Sequence, residues 1–449
     1  MTAIETRPRS RGISYRELLD TDTHAVPDVL RAEASLTDAP VFVDVARYTS
    51  RAYHELEKER LWKRVWQMAC REEDIPRPGD YLVYDIAGIS VLVARGENGD
   101  IHAFHNVCLH RGRRLKDHGG CDGELRCSFH GFAWNLDGSL KHVPCGWDFP
   151  QVQPSEFGLP PVRVGTWGGF VFVNLDPSCG PLDGHLGELP QHFTRWPLEQ
   201  RYKQAHVAKM LRCNWKLAQE AFMEAYHVVA THPQLLPGIG DANSQYDAWA
   251  TFSRAITPNG TPSPYLKWAP TEQDMADAMT DRNLDEPPVV VVPEGRTARE
   301  VVGHLRREAM RPVLGADADA LCDAELLDSF YYTLFPNLHP WGAYNRIVYR
   351  FRPYGDDHTQ SIMECMYLAP FTGERPAAAP IHWLGPDDDW TEAPELGMLA
   401  RVFNQDVFNL PNVQAGLMSG SLDRVTFASY QETKLRHFHG LLGRWVGDL

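Results

Sequence analysis

The chain has 449 residues, of which 43% are hydrophobic and 23% charged, so it has a globular composition and is too long for one ordinary core. Its net charge of −15 argues against nucleic acid and anionic membranes as partners. No apolar run approaches the ~20 residues of a membrane helix, and the polar first residues lack the apolar segment of a signal peptide, so we expect a cytoplasmic protein.

The first part of the chain predicts two helices followed by a small β domain. Ser14-Tyr-Arg-Glu17 is a capping box that begins a short helix. Residues 50–70 predict a longer helix that ends near Cys70. Glycines then separate short β-rich runs such as residues 81–84 and 90–94, and residues 168–174 predict a closing strand. We therefore expect an antiparallel β domain over residues 45–176.

Two short motifs inside this β domain combine cysteine with histidine. Cys108-Leu-His110 is followed, after sixteen residues, by Cys127-Ser-Phe-His130. A Rieske [2Fe–2S] cluster takes two cysteines on one iron and two histidines on the other, so each motif would supply one ligand to each iron. The alternative is a Cys2His2 zinc site, but zinc sites usually open with two closely spaced cysteines. The sequence therefore predicts one Rieske [2Fe–2S] cluster. The other seven cysteines show no disulfide framework.

Glycines and a hairpin signal surround these motifs in a familiar pattern. Gly112 and Gly131 follow the two ligand pairs, and Asp137-Gly138 predicts a tight turn. This stretch resembles the Rieske domain of the aromatic-ring-hydroxylating oxygenases, the catalytic alpha subunits of Rieske non-haem iron enzymes. The resemblance begins near Tyr53 and covers nearly the whole chain. It implies an α+β fold, in which residues 1–44 and the Rieske domain accompany a larger catalytic domain.

The implied catalytic domain spans residues 177–449, with helices on an antiparallel sheet (helix-grip, START-like) and with residues 1–44 packed against it. Residues 257–315, which are Pro/Gly-rich as far as Gly295, predict either a lid over the active site or a surface excursion. A capping box at Thr297 begins a helix to about Arg311. Strands are predicted around 330–335, 346–352 and 360–369, and a final helix over 429–446.

A second metal site is predicted after Asn214, where an Ala/Leu/Met/Glu-rich run favours a helix. Glu220, Glu224 and His227 would then form one polar stripe at i, i+4 and i+7. His232 cannot share that face on an unbroken helix. Because it precedes a proline, however, it should lie where the helix ends and can turn back towards His227. Two imidazoles and one carboxylate form the facial triad of non-haem Fe(II) oxygenases.

The resemblance supplies the third ligand and a bridging acid. In the family the third ligand is an aspartate far downstream, and Asn404-Gln405-Asp406 matches that pattern. The alternative, residues 387–389, is more typical of a turn. The resemblance also implies that Glu224 links a cluster histidine of a neighbouring copy, His130, to His227. Most ring dioxygenases have aspartate there, so the glutamate leaves the substrate class open. One mononuclear Fe(II) per chain is expected.

The substrate pocket is predicted less directly, and the same residues could equally belong to the core. The candidates are Phe222, Met223, Leu338, His339 and Trp341. An apolar pocket favours an aromatic or other hydrophobic substrate that is mono- or dioxygenated. The alternatives are oxidation or demethylation of a quaternary amine, which requires an aromatic cage, and a Rieske electron carrier without catalysis, which would need no second iron site.

The resemblance also implies partners. They are O2, the small-molecule substrate, and a ferredoxin and/or an NAD(P)H-dependent reductase. A homotrimer is expected, with or without a separate beta subunit. Residues 101–130 hold five Lys/Arg and three acids against the acidic background. This basic surface either is merely solvated or meets an acidic redox partner or neighbouring subunit.

Overall fold

The computed structural model describes residues 12–34, 39–282 and 286–447. The helices are α1 Tyr15–Leu19, α2 Asp28–Arg31, α3 Ala46–Thr49, α4 Arg51–Glu57, α5 Leu182–Leu186, α6 Leu189–His192, α7 Trp215–Glu220, α8 Val228–Thr231, α9 Glu272–Met279, α10 Ala298–Leu314, α11 Asp323–Leu327, α12 Leu399–Met418 and α13 Thr433–Val446. In these described ranges no helix is both long enough and apolar enough to span a membrane.

The strands belong to two domains and one short pair. They are β1 Phe42–Asp44, β2 Gln67–Arg71, β3 Asp80–Ile86, β4 Ile89–Arg95, β5 Ile101–His105, β6 Gly120–Cys121, β7 Leu125–Arg126, β8 Ala133–Trp134, β9 Leu140–His142, β10 Pro161–Trp167, β11 Phe170–Asn174, β12 Arg201–Leu211, β13 Gln245–Ala248, β14 Phe252–Thr257, β15 Ser329–Leu334, β16 Leu338–Pro340, β17 Ile347–Tyr354, β18 Asp357–Pro370, β19 His382–Leu384 and β20 Arg424–Thr426.

The N-terminal β domain is built from a seven-stranded sheet, in the order β2-β11-β10-β5-β4-β3-β6, and a three-stranded sheet of β7, β8 and β9. The β11 strand closes the larger sheet between β2 and β10, as the sequence predicted. The turn at Asp137-Gly138 joins β8 to β9, with the N–H of Gly138 donating to the carbonyl of Asn135 at 3.0 Å. Both cluster motifs lie in loops next to the small sheet.

The second domain is an eight-stranded sheet in the order β13-β14-β15-β16-β17-β18-β12-β19, antiparallel except between β12 and β19. Side-chain alternation separates its two faces. His339 and Tyr349 are paired on β16 and β17 and lie on the inner face, beneath α7, α12 and α13. Leu338 packs on the outer face against the N-terminal helices and the Rieske sheet. The fold is α+β with helices gripping an antiparallel sheet, as expected.

Two local expectations have opposite outcomes. The capping box at Ser14 is present, since Ser14 Oγ accepts from the N–H of Glu17 and the Glu17 carboxylate accepts from the N–H of Ser14. The prediction of one long helix over residues 50–70 is wrong. Its α-helical part ends at Glu57, one π-type turn continues to Trp62, and β2 follows. Pairing of β2 with β11 overrides the helical pattern, because all five residues of β2 are buried in that sheet.

The excursion at residues 257–315 packs behind the segment that carries His232. Its helices α9 and α10 share a small apolar core with α11. Three backbone hydrogen bonds fasten it to the loop after His232: Gly240 to Pro258 at 2.9 Å, Gly260 to Gly238 at 2.8 Å and Ser263 to Leu236 at 2.8 Å. Its role as a lid stays a prediction.

A buried ion pair joins the two domains. Arg350 on β17 contacts Glu364 on β18, with Nη2 2.7 Å from Oε1. The same guanidinium donates through Nη1 to the carbonyls of Met68 at 2.9 Å and Ala69 at 2.7 Å, both on β2 of the Rieske sheet. Beside this pair runs a cleft of about 1390 Å³ with charged walls, which includes none of the predicted metal ligands.

Candidate metal centres

The two cluster motifs form loops with the same hydrogen-bond frame. In the first loop the N–H of Cys108 donates to the carbonyl of Arg113, and Gly112 donates back to Cys108. In the second loop Cys127 donates to Phe132, and Gly131 donates back to Cys127. Gly112 and Gly131 have φ of 76° and 81°, which a side chain would disfavour. The sequence repeat therefore becomes a structural repeat that presents one thiol and one imidazole from each loop.

The donor set suits a binuclear iron cluster. Cys108 and Cys127 are each 2% exposed, and the rings of His110 and His130 lie 4.6 Å apart between centroids. His110 Nδ1 is buried with no hydrogen-bond partner, which leaves its lone pair for a metal. Burial, with the Cys127 thiol beside it, raises the pKa of Cys108. Two buried thiolates therefore need a cationic partner, and iron supplies it.

Aromatic rings hold the first imidazole while the second faces outwards. The His110 ring stacks on Phe132, with centroids 4.7 Å apart and planes 7° apart, and meets the edge of Phe149. His130 is exposed beside Phe129, and Trp147 nearby is 83% exposed. The cluster site thus has one buried side and one side open to a partner.

The predicted single helix after Asn214 is wrong, and its break builds the second site. Helix α7 ends at Glu220 and α8 begins at Val228. Between them the N–H of Ala225 donates to Tyr246 Oη at 3.1 Å, and the N–H of His227 donates to Glu224 Oε2 at 3.0 Å. These bonds satisfy backbone donors that a continuous helix would use internally.

The break also separates Glu220 from the predicted polar stripe. Its carboxyl points into the core, where Tyr48 Oη lies 3.1 Å from Oε1 and His439 Nε2 lies 2.8 Å from Oε1. Burial raises the pKa of Glu220 to about 8, against the lowering effect of the Tyr48 hydrogen bond and of Lys216. Glu220 is therefore a structural acid held protonated near neutral pH.

His227, His232 and Asp406 converge, as the sequence predicted. His232 Nε2 lies 2.8 Å from Asp406 Oδ1, His227 Nε2 lies 3.5 Å from the same oxygen, and the three donor atoms lie within 4.8 Å of one another. His232 follows α8 and Asp406 lies on α12, whereas the rival residues 387–389 form an exposed turn. The His232 and Asp406 side chains are almost fully buried, but His227 is 26% exposed, so the site opens on the His227 side.

Each imidazole is held through its other nitrogen. His227 Nδ1 lies 2.7 Å from Glu224 Oε1, and His232 Nδ1 lies 2.8 Å from Gln405 Oε1. This arrangement turns both Nε2 atoms towards Asp406, the usual way in which outer partners orient metal-binding histidines. Burial alone would lower the pKa of His227, but the charge and hydrogen bond of Glu224, with Asp406, raise it to about 9. The site therefore favours a cation, which fits Fe(II).

Three aromatic rings adjoin this triad. The rings of Phe222, Tyr349 and Phe403 lie pairwise 5.2 to 5.8 Å apart, and Phe403 stands one helical turn before Asp406. Burial raises the pKa of Tyr349, and the negative charge of Asp406 adds to this effect, which places the phenol on the side of the triad. Phe222 thus occupies the predicted region, while Tyr349 and Phe403 were not predicted.

The other pocket candidates separate into different environments. His339 and Trp341 belong to the inner face, where His339 Nε2 lies 3.3 Å from Gln219 Oε1. Met223 is fully buried in the main core. Leu338 lies on the outer face of the sheet, so its assignment to the pocket is wrong: one residue along a strand reverses the direction of the side chain.

Sequence reasoning also missed Gln405 as a histidine partner, although it directly precedes Asp406. Its amide contacts both His232 and Gln234. Its position directly before Asp406 gave no reason to expect Gln405 to face the metal site, because the side chains of successive residues on a helix point about 100° apart. The turn of the His232 ring towards α12 is what brings the two groups together.

Comparison with known proteins covers both domains. Residues 191–448 match the family described as ring hydroxylating alpha subunit (catalytic domain), and residues 65–153 match the Rieske [2Fe-2S] domain. The catalytic domain of this family holds a mononuclear iron, and the Rieske domain holds a [2Fe–2S] cluster. The chain therefore carries both metal groups that the sequence predicted.

Curated relatives have two kinds of substrate in their names. The chain is 31% identical over 227 residues to the glycine betaine monooxygenase oxygenase subunit of Pseudomonas aeruginosa (50% of this chain, 51% of that protein). It is 30% identical over 194 residues to the chloroplastic choline monooxygenase of Beta vulgaris (41% and 43%) and 33% identical over 197 residues to the biphenyl 2,3-dioxygenase subunit alpha of Rhodococcus jostii (42% and 43%). The chain spans about half the length of the curated relatives it matches.

Solved structures share the fold. The quaternary ammonium Rieske monooxygenase CntA in complex with L-carnitine superposes with a TM-score of 0.63 at 16% identity, over 94% of this chain and 99% of that one. Naphthalene 1,2-dioxygenase with indole bound gives a TM-score of 0.62 at 16% identity, over 92% and 94%. At such identities the likeness shows the fold alone.

Proposed function

Because the chain belongs to the ring-hydroxylating alpha subunits of the Rieske oxygenases, we propose that it is a terminal oxygenase that oxidises a carbon bonded to the nitrogen of a small quaternary amine. This substrate was the alternative in the sequence analysis. It now takes precedence over an aromatic or hydrophobic substrate, because the names of the relatives and the ring cluster near the triad support it better.

The observation that carries the proposal is the ring cluster of Phe222, Tyr349 and Phe403 beside the metal triad. A quaternary ammonium ion has no N–H to donate, so the faces of aromatic rings are its best uncharged partners. Asp406 and Glu224 add negative charge nearby. The names of the relatives, which include glycine betaine, choline and carnitine monooxygenases, support the same substrate class.

The proposed reaction balances with the electrons of one NAD(P)H. One oxygen atom of O2 enters a C–H bond next to nitrogen, and the other atom leaves as water with two electrons and two protons. The hydroxylated N-methyl group then breaks its C–N bond, which gives a tertiary amine, formaldehyde and a proton. Iron held by His227, His232 and Asp406 would supply the activation of O2, and the cluster at Cys108, His110, Cys127 and His130 would supply electrons.

The chain's own residues position these parts. Glu224 and Gln405 fix the two imidazoles, the ring cluster orients the ammonium group, and the apolar surroundings exclude water. Electrons would come from NAD(P)H through a reductase, with or without a ferredoxin.

A head-to-tail homotrimer is part of the proposal, with Glu224 of one copy beside His130 of the next. Exposed aromatic side chains support it at both ends. Phe129 and Trp147 are 57% and 83% exposed at the cluster, and Tyr226 and Phe408 are 47% and 75% exposed near the iron triad. Large exposed apolar residues mark association surfaces. Light scattering of the purified protein tests this, since a monomer at micromolar concentration would contradict it.

The function is tested with purified protein, a Rieske reductase, NAD(P)H and O2. The panel pairs choline and glycine betaine with the neutral carbon isostere 3,3-dimethylbutan-1-ol and with biphenyl. We expect formaldehyde and a demethylated or hydroxylated amine from a quaternary amine, and at least ~10-fold weaker binding of the neutral isostere. A dihydrodiol from biphenyl, with no amine product, would instead establish the second candidate, an aromatic dioxygenase, which the biphenyl relative and the apolar rings favour.

A further inference from the structure

Lys434 is buried in the catalytic domain without an acidic partner. Its side chain lies at the start of α13 and is fully buried. Its Nζ donates to the carbonyl of Tyr331 at 2.8 Å and lies 4.5 Å from the centroid of that ring. Among the described residues no carboxylate is within ion-pair distance of it. Burial holds the pKa of Lys434 well below its usual range. Buried lysines are nearly always paired, so a counter-charge is missing here.

Two neutral donors in this part of the domain lack acceptors. Trp341 Nε1 and Gln219 Nε2 are buried and have no hydrogen-bond partner. The Trp341 ring lies 5.4 Å from the Tyr331 ring over which Lys434 stands. The Gln219 amide contacts His339, whose pKa is lowered by burial and then by the charge of Lys434. Two unused donors beside a buried ammonium that has no counter-charge are unusual, because buried donors are rarely left unpaired.

The donor region borders the ring cluster of the proposed amine site. Trp341 lies 6.0 Å from Tyr349, which is itself 5.2 Å from Phe222. Trp341 is only half-buried, whereas Tyr349 is buried. Ring contacts from Tyr349 through Trp341 to Tyr331 thus connect the ring cluster with Lys434.

We propose that Lys434, with Trp341 and Gln219, binds a carboxylate of the substrate, so that the preferred substrate is a betaine that carries a quaternary ammonium group and a carboxylate on a short linker. This inference rests on the proposed function for its ammonium end and on the unpaired donors for its acidic end. A carboxylate is the natural ligand because it accepts from an ammonium and two neutral N–H groups at once. The same donors would be left unpaired by choline or by a plain arene, which would disfavour those ligands.

The test compares binding of a betaine with binding of its methyl ester, which keeps the ammonium and removes the negative charge. Glycine betaine and its homologues with two and three methylenes, each beside its ester, are titrated into anaerobic holoprotein by calorimetry. We expect the wild type to bind one betaine roughly 10- to 100-fold more tightly than its ester. Lys434→Met, which keeps the length and buried character of the side chain, should abolish that preference while leaving ester affinity within about twofold. Lys434→Arg should retain part of it.

Matched variants separate the two proposals. Phe403→Leu should weaken betaine and ester together, because it removes one aromatic face of the ring cluster and keeps a large apolar side chain in the core. If the wild type binds betaine and ester equally, or if Lys434→Met weakens both equally, the carboxylate site is overturned and the amine proposal stands. If the wild type binds neither but binds butyrate or benzoate through Lys434, the carboxylate site stands and the amine proposal fails. Iron and sulfide content of each variant reports whether it has folded.

Discussion

The Glu224 carboxylate contacts His227 twice: Oε1 lies 2.7 Å from Nδ1 of the imidazole, and Oε2 accepts from the backbone N–H of His227 at 3.0 Å. The backbone contact closes the turn that starts α8. The contact with Nδ1 leaves Nε2 of the imidazole as the nitrogen that is free for iron. One carboxylate therefore shapes the backbone and orients the ligand together. Because the side chain is almost fully buried and its two oxygens have separate tasks, a neutral replacement cannot perform both.

Glu224→Gln should retain iron but lose turnover. The amide can still accept from the His227 backbone, but it cannot hold Nδ1 with the charge of a carboxylate. Loss of such an outer partner typically costs 10- to 100-fold in activity or metal affinity. The measurement is turnover of the best substrate beside the iron content of the same sample. Glu224→Asp, which keeps the charge, serves as the control, and full activity of the glutamine variant would contradict the assignment.

His227→Ala should remove the mononuclear iron and spare the cluster. The wild type should contain about three irons and two sulfides per chain, and the variant about two of each. Iron and sulfide assays with EPR of the reduced cluster measure this. An electron carrier would keep its full redox activity in the variant, whereas an oxygenase would lose all substrate oxidation while its cluster signal persists.

Gln405→Leu tests the support of the second histidine. His232 Nδ1 loses its partner at 2.8 Å, so the ring is free to rotate away from Asp406. We expect weaker Fe(II) binding by roughly 10-fold or more, with an unchanged cluster spectrum. Anaerobic titration of the iron-depleted protein with Fe(II) gives the affinity. Asn409→Leu, one turn further along α12 on its exposed side, is the matched control.

The buried acid Glu220 should make stability depend on pH. Its folded pKa is raised to about 8, mainly by burial, from an ordinary value of 4.5. A raised pKa means that the unfolded chain releases this proton first, so the contribution is complete below about pH 4.5 and is lost as pH rises to about 8. Melting temperatures between pH 5.5 and 8.5 should fall less steeply for Glu220→Gln than for the wild type. Parallel curves would show that Glu220 is already ionised in the folded protein.

The sequence was most informative where ligands are close together along the chain. Cys108 with His110, and Cys127 with His130, stand within one loop each, so spacing alone predicted the cluster. Local spacing could not predict the whole iron triad, because Asp406 comes from another helix. Only the resemblance to a known family indicated this ligand. Tyr349 could not be predicted, since nothing local reveals which strand faces the iron.

Helix propensity gave wrong predictions where hydrogen bonds between distant residues determine the backbone conformation. Residues 67–71 follow a helix and continue its pattern, but they complete a sheet through β11, which is about a hundred residues away. The helix after Asn214 fails for the opposite reason. Side-chain acceptors such as Glu224 and Tyr246 replace its internal hydrogen bonds, and their positions depend on the folded domain.

The hydrogen bonds of the Arg350 guanidinium couple the thermal unfolding of the two domains. It is shared between the Glu364 carboxylate of one domain and two β2 carbonyls of the other. If the Rieske sheet detached, Arg350 would lose two buried acceptors, and β2 would expose carbonyls that no other described side chain satisfies. Neither domain can open without a cost to its neighbour, so the pair should unfold cooperatively as one calorimetric unit.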